Sequence, residues 1–221
     1  MTELTRRAAL RCTITGLGLC ALPLAGGLAP AQAALKPEEE QAVRKAERYL
    51  NRISTLRSRF VQISSNGAYA EGEVVVRRPG HLRFEYDPPH PVLLIADGTN
   101  LLYYDKELKQ ASFIPLWETP LWFLIRKKVE LSDNVEVTQI RRATGTLRMT
   151  LQESGGGDAG AVTLVFSDRP FALRKWEVID AQGVTTQVAL INPQFDIEVD
   201  DDVFDYGDLD THGLQRKLDR R

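Results

Sequence analysis

The sequence predicts a mainly β protein, a sandwich or barrel of about eleven short antiparallel strands with a few helical pieces. Three observations carry this. From residue 72 onward, strands alternate with period two: Leu82, Phe84 and Tyr86 fall on one face, Arg83 and Glu85 on the other. A sheet with one dry and one wet face requires that pattern. Short strands then recur at regular intervals between turn residues, the mark of a sandwich or barrel rather than a doubly wound sheet. Breaking into them is the run Leu116 to Ile125, with seven large apolar side chains in ten residues. A helix apolar nearly all round needs dry partners on more than one side. The pattern reads as half of a cup followed by a cover for it.

Taken in order, the chain opens with Thr5-Arg6-Arg7, an apolar run from Ile14 to Leu28, and Ala31-Gln32-Ala33. A positive start, a short apolar centre and an Ala-x-Ala end describe an export signal over 1–33. The alternative, a retained membrane anchor, is opposed by Pro23 and by glycines at 16, 18, 26 and 27. Arg6-Arg7 resembles a twin-arginine signal, and the export route stays open. Cys20 suggests a lipoprotein cleavage site, but Leu19 stands where such sites want a small residue.

Residues 37 to 53 read as an amphipathic helix. Pro37 suits the first helical position and Glu38, Glu39 and Glu40 complement its positive end. Val43, Ala46, Leu50 and Ile53 make one apolar stripe. Strands are predicted at 56–66, 72–78, 82–87, 91–96, 100–105 and 109–115, and after the apolar run at 134–141, 145–153, 160–167, 171–180 and 183–191. Ala96-Asp97-Gly98-Thr99-Asn100 is a hairpin connection with turn residues in place. Closing about eleven strands around an apolar face leaves more room than side chains fill, since about eight suffice to hold a small ligand. Within the apolar run, Thr119 is placed to cap a helix that begins at Pro120. Arg126-Lys127-Lys128 then returns the chain to water. A buried core helix and a movable lid are both compatible with these residues; the position between two sets of strands favours the lid. Phe204 and Tyr206 are expected to tether a last short strand, followed by a charged tail over 207–221 read as disordered. The domain plan is therefore a signal over 1–33, a barrel domain over 34–206 and the tail.

Composition excludes several functions. The chain has 28 basic and 30 acidic residues; without the three basic and one acidic residue of 1–33, 25 and 29 remain, a net charge of −4. No basic surplus marks a nucleic-acid binder. Both cysteines, Cys12 and Cys20, lie in the leader, so a chain without it has no disulfide, thiolate nucleophile or thiolate metal site. His81, His90 and His212 form no zinc-binding pattern, and no nucleophile elbow or phosphate-cradling glycine loop is present. The C-terminal aspartates lack the spacing of a calcium loop. The reading is a protein that is not an enzyme, with no catalytic residues, no metal and no cofactor.

Arg78-Pro79-Gly80, then Leu82-Arg83-Phe84-Glu85-Tyr86, Asp97-Gly98, Leu101-Leu102-Tyr103-Tyr104-Asp105, Gln110 and Thr119-Pro120 stand in an order that resembles the periplasmic outer-membrane lipoprotein carrier family, the LolA type. Phe60-Val61-Gln62 resembles that family's Phe-x-Gln on its first strand, and the likeness spans roughly residues 40 to 206. The resemblance implies an incomplete antiparallel β-barrel of about eleven strands, capped by short helices and enclosing an apolar cavity. It implies a periplasmic carrier that shields the acyl chains of lipoproteins. The donor would be an ATP-driven inner-membrane releasing complex and the acceptor an outer-membrane receptor, with the carrier itself a monomer. Expected cavity and lid residues are Leu82, Phe84, Tyr86, Leu93, Leu116, Trp117, Leu121, Trp122, Phe123 and Ile125. Arg78 matches the family's lid latch; on alternation it faces inward with Val74 and Val76, where a guanidinium needs acceptors such as carbonyls at the end of a lid helix. Two alternatives keep the fold and change the cargo: another lipid, or an apolar peptide.

Ala31-Gln32-Ala33 generates a first prediction. The processed chain begins at Ala34 and carries no lipid, which its intact mass will show; a lipid-bearing product starting at Cys20 would overturn this reading of the signal.

Overall fold

The computed structural model describes residues 35–119, 122–131, 135–153, 160–180, 182–207 and 209. The predicted leader over 1–33 and most of the predicted tail lie outside these residues. Helix α1, Pro37–Arg52, starts as its sequence requires. Pro37 occupies the first turn, and Glu39 Oε2 accepts the backbone N–H of Lys36 at 2.8 Å. The helix buries Ala42, Val43, Ala46 and Leu50. Eleven strands follow: β1 Thr55–Ser64, β2 Tyr69–Arg77, β3 His81–Tyr86, β4 Val92–Asp97, β5 Asn100–Asp105, β6 Gln110–Pro115, β7 Val135–Ala143, β8 Thr146–Glu153, β9 Ala161–Asp168, β10 Phe171–Ile179 and β11 Thr185–Phe195. They correspond one to one with the predicted strands. Helix α2, Trp122–Ile125, lies in the connection from β6 to β7.

All eleven strands form one antiparallel sheet in the order β6-β5-β4-β3-β2-β1-β11-β10-β9-β8-β7. The sheet is open, with β6 and β7 as its edges, so a closed barrel is not formed. It is nevertheless strongly curled. Four strand spacings separate β3 from β10, roughly 19 Å in a flat sheet, yet the rings of Phe84 on β3 and Trp176 on β10 lie 6.2 Å apart, edge to face. Only a sheet bent around its apolar face permits this. That concave face and α1 share one core, which includes Phe60, Val74, Phe84, Met149, Leu164, Phe166 and Val188. Tyr49 anchors α1 there by edge contacts with Phe166, Phe171 and Phe195 at 6.0, 5.6 and 6.4 Å.

The convex face of β2 to β5 carries a second core: Val75, Leu93, Ile95, Leu102 and Tyr104, with Val199 and Phe204 laid over it. The expected last short strand is instead an extended strap ending in a 3₁₀ turn at Asp201–Phe204. Side chains of the sheet hold the strap by its carbonyls. Thr55 Oγ1 donates to Ile197 at 2.7 Å, Arg77 to Val199 at 3.2 Å and Arg83 to Val203 at 3.1 Å. Tyr206 completes the attachment by donating to Asp97 at 2.9 Å.

Two hairpin turns pack glycine on glycine. Gly80 has φ +79°, and a Cβ built on it would stand 2.7 Å from Gly98 Cα. Its N–H donates to Ile125 O at 2.7 Å, which fixes the C-terminal end of α2 to the β2–β3 turn. Gly80→Ala adds left-handed strain to a backbone clash. We expect it to lower unfolding free energy by roughly 1–3 kcal/mol, measured by chemical denaturation; wild-type stability would show that the two turns can part freely.

Candidate functional site: an apolar pocket beneath a helical cover

Alternation on β2 and β3 points Val74, Val76, Leu82 and Phe84 into the concave face. Facing them are Leu50 from α1 and Ile53 just past its end, Leu124 and Ile125 from α2, and Leu173, Trp176 and Phe195 from the other half of the sheet. Together they enclose a cavity of about 70 Å³. Ligand pockets run to roughly 300–1,000 Å³, so this space is smaller than a ligand site. Among the lining side chains, Arg78 alone is charged. Its Nη1 donates to Leu50 O at 2.7 Å, in the last turn of α1. Burial lowers its guanidinium to about 10, still far above neutral pH, so the charge is retained and its acceptor matters. The arginine thus clasps the C-terminal end of α1; the end of α2 is held by Gly80.

Helix α1 is also tied to the segment that follows α2. Asn51 donates to Val129 O and accepts from Val129 N–H, both at 2.8 Å, and Glu47 accepts from Leu131 N–H at 2.8 Å. Thr119, expected to cap α2 forwards, donates backwards to Leu116 O at 2.6 Å and closes the 3₁₀ turn Leu116–Glu118. The reason is local: that turn leaves a carbonyl within reach of the hydroxyl.

Of the expected site residues, Leu82, Phe84 and Ile125 line the pocket together with Arg78. Leu116 and Phe123 are buried in the concave core, with Tyr86 and Trp122 packed against it. Tyr86 is oriented by donating to Gln62 Oε1 at 2.8 Å, and burial raises its phenol above the ordinary tyrosine range. Leu121 lies outside the described residues. Two positions are corrected. Leu93 points to the convex face beneath the strap, because β4 pairs Leu94 opposite Phe84 and turns Leu93 away. Trp117 is 61% exposed, since the 3₁₀ turn directs Leu116 inward and the next side chain out. Sequence reasoning did not place Leu50, Ile53, Leu56 and Leu124 in the pocket, nor the residues of β10 and β11. Bulges shift their registers at Leu173/Lys175 and opposite Arg57/Arg59. Leu173 and Trp176, an odd distance apart, therefore share a face, and Asn192 with φ +51° returns Phe195 to it. The Asn192-Pro193 pair is the one local signal of that break.

Two of the histidines do structural work: His81 meets Pro79 O at 2.7 Å and His90 meets Tyr69 O at 2.8 Å, while His212 lies outside the described residues. Among the described residues no cluster of three or more metal-ligating side chains occurs, and no helix is long and apolar enough to cross a membrane.

Fold and pocket define a half-barrel that cups an apolar space. The chain belongs to the outer membrane lipoprotein carrier protein LolA family, whose sequence model matches residues 51–207. An outer-membrane lipoprotein carrier protein of Azotobacter vinelandii is 27% identical over 192 residues, spanning 83% of this chain and 89% of that one. Its counterpart in Dechloromonas aromatica is 30% identical over 158 residues, 66% and 74% of the two chains. Among solved structures, a LolA superfamily protein of Nitrosomonas europaea superposes with a TM-score of 0.42 and 9% identity, covering 74% of this chain and 97% of that one.

Removing the clasp separates stability from motion. Arg78→Leu deletes a desolvated charge and removes one of two donors to Leu50 O, which still accepts the Ile53 N–H, so the net change in stability is on the order of 1 kcal/mol. Thermal melting should stay within a few degrees of wild type while uptake and release of an acyl probe both quicken; wild-type exchange kinetics would return Arg78 to a purely structural role.

Proposed function

We propose that this protein is a periplasmic carrier that receives the acyl chains of lipoproteins in the pocket between its concave sheet and its helical cover, and delivers them to the outer membrane. The observation that carries the reading is the pocket itself: lined by apolar side chains and a single arginine, and roofed by two helical pieces. Family membership supports a lipoprotein as cargo. Acyl chains resist water at about 0.8 kcal/mol per CH₂, so three long chains cannot cross an aqueous compartment unshielded. The closed cavity of about 70 Å³ admits none of them. Loading therefore requires the cover to swing away, widening the space between Phe84, Trp176 and the helices.

Leaving a bilayer is uphill for such a cargo, which calls for an energised donor. Under this proposal an ATP-driven inner-membrane releasing complex supplies the lipoprotein and an outer-membrane receptor takes it, the carrier acting as a monomer without catalysis. Residues expected to meet the acyl chains are Leu82, Phe84, Ile125 and, once the cover opens, Tyr86, Phe123 and Trp122. The test is release of lipoprotein from membrane vesicles on adding the purified protein, with bound material identified by mass spectrometry. A co-purifying lipid of another class, and no lipoprotein released, would replace the cargo while keeping the cup.

Trp122 packs on the core from the cover and is only partly buried. Trp122→Ala should lose well under the roughly 3–5 kcal/mol of a fully buried tryptophan, yet bind a fluorescent fatty-acyl probe several-fold more weakly. A large drop in melting temperature with unchanged probe affinity would make α2 ordinary core and remove it from the cover.

A further inference from the structure

Beside the apolar pocket, on the other flank of α1, lies a second and wider cavity of about 800 Å³. Its walls are Lys45, Arg48 and Arg52 from α1 and the segment Lys128–Glu130, with Phe171 of β10 between them. Lys45, Arg48 and Arg52 fall at helical spacings of three and four, so one stripe of the helix presents all three. The carboxylates of the cavity are already engaged: Glu47 accepts from Leu131 N–H at 2.8 Å, and Glu130 pairs with Lys128. Asn51 is occupied in both directions by Val129. Lys45 is steadied over the Phe171 ring at 4.1 Å. Among the described residues, no carboxylate or carbonyl accepts a hydrogen bond from Lys45, Arg48 or Arg52. The cavity thus sets four cations against two anions within a chain of net charge −2. The negative end of α1, which would repel an anion, is offset by Arg78 on Leu50 O.

We propose that this cavity binds a phosphate group carried on an amphiphile, the headgroup of an anionic phospholipid. Two guanidinium forks and one ammonium around an open space match the oxygens of a phosphate. The volume lies in the range of ligand sites. The amphiphile follows from what α1 separates: Leu50 and Ile53 line the apolar pocket on one flank, and Lys45, Arg48 and Arg52 line this cavity on the other. Strand β10 repeats the arrangement, with Leu173 in the pocket and Phe171 in the cavity. A headgroup held here leaves its chains within reach of the cover.

Calorimetry on the protein as purified from the cell tests this with three ligands: a short-chain phosphatidylglycerol below its micelle concentration, a diacylglycerol with the same chains, and inorganic phosphate. The phosphatidylglycerol should bind about tenfold or more tighter than the diacylglycerol, and added salt should narrow the gap. The double variant Arg48→Glu, Arg52→Glu should erase the advantage while leaving diacylglycerol affinity unchanged; Arg48→Gln, Arg52→Gln, which introduces no repulsion, should act in the same direction. Phosphate that competes but binds far more weakly assigns the lipid headgroup as the source, and phosphate that binds as tightly as the lipid assigns the free anion. Equal affinities of wild type for both lipids, or of wild type and both variants for phosphatidylglycerol, overturn the proposal. Loss of diacylglycerol binding alone would tell instead against the acyl-carrier reading.

Discussion

The pairing of β1 with β11 is the contact on which the rest of the structure depends. Residues 56–64 run antiparallel to 186–195, joining the first strand to the last. Without it the chain is two meanders, β1 to β6 and β7 to β11, each with an apolar face open to water. With it the sheet becomes continuous, and β6 and β7, consecutive in sequence, are sent to opposite edges. Their connection has to travel between those edges, and α2 packs on the concave core along the way. The cover over the pocket is thus a topological result of joining the chain's ends at the centre of the sheet.

Both faces of that sheet are apolar near β2, and each is covered by a different piece of chain. Neighbouring arginines at the end of β2 manage the two sides. Arg77, facing outward, donates to Val199 O of the strap and stacks over Phe204 at 5.0 Å. Arg78, facing inward, donates to Leu50 O of α1. The outer attachment is reinforced by Thr55, Arg83 and Tyr206. Burial and the bond to Asp97 push the Tyr206 phenol up to about 12, so its donation persists through and above the ordinary tyrosine range and fails only in strong alkali. The inner attachment has one arginine and a few backbone bonds. The strap is held at four points and the inner cover at fewer.

Local signals made the fold legible. Alternation, turn residues and the helical stripe of Val43, Ala46 and Leu50 locate every strand and α1 to within a few residues, because each is a property of neighbours in sequence. The pocket was legible where alternation is unbroken, at Leu82, Phe84 and Arg78. It was not legible across the bulges of β10 and β11, where one extra residue inverts the parity on which the reading rests. Leu93 failed for another reason. A strand apolar on both faces, such as Val92-Leu93-Leu94-Ile95, does not declare which face looks inward, and the strap that decides it comes from a hundred residues later in the chain. The cationic cavity has the same character, since its walls meet only through the packing of α1 on the chain beyond α2.

Joining β1 to β11 also orders events in time. The contact between residues 60 and 190 closes only after nearly the whole chain has been made. Until then the first strand has one neighbour, and the apolar concave surface has no opposite wall. Pairings so distant in sequence slow folding and leave partly formed sheets open to aggregation. The curl that encloses the apolar pocket is therefore the last thing this molecule acquires, and during its own folding it is itself the greasy client in need of protection.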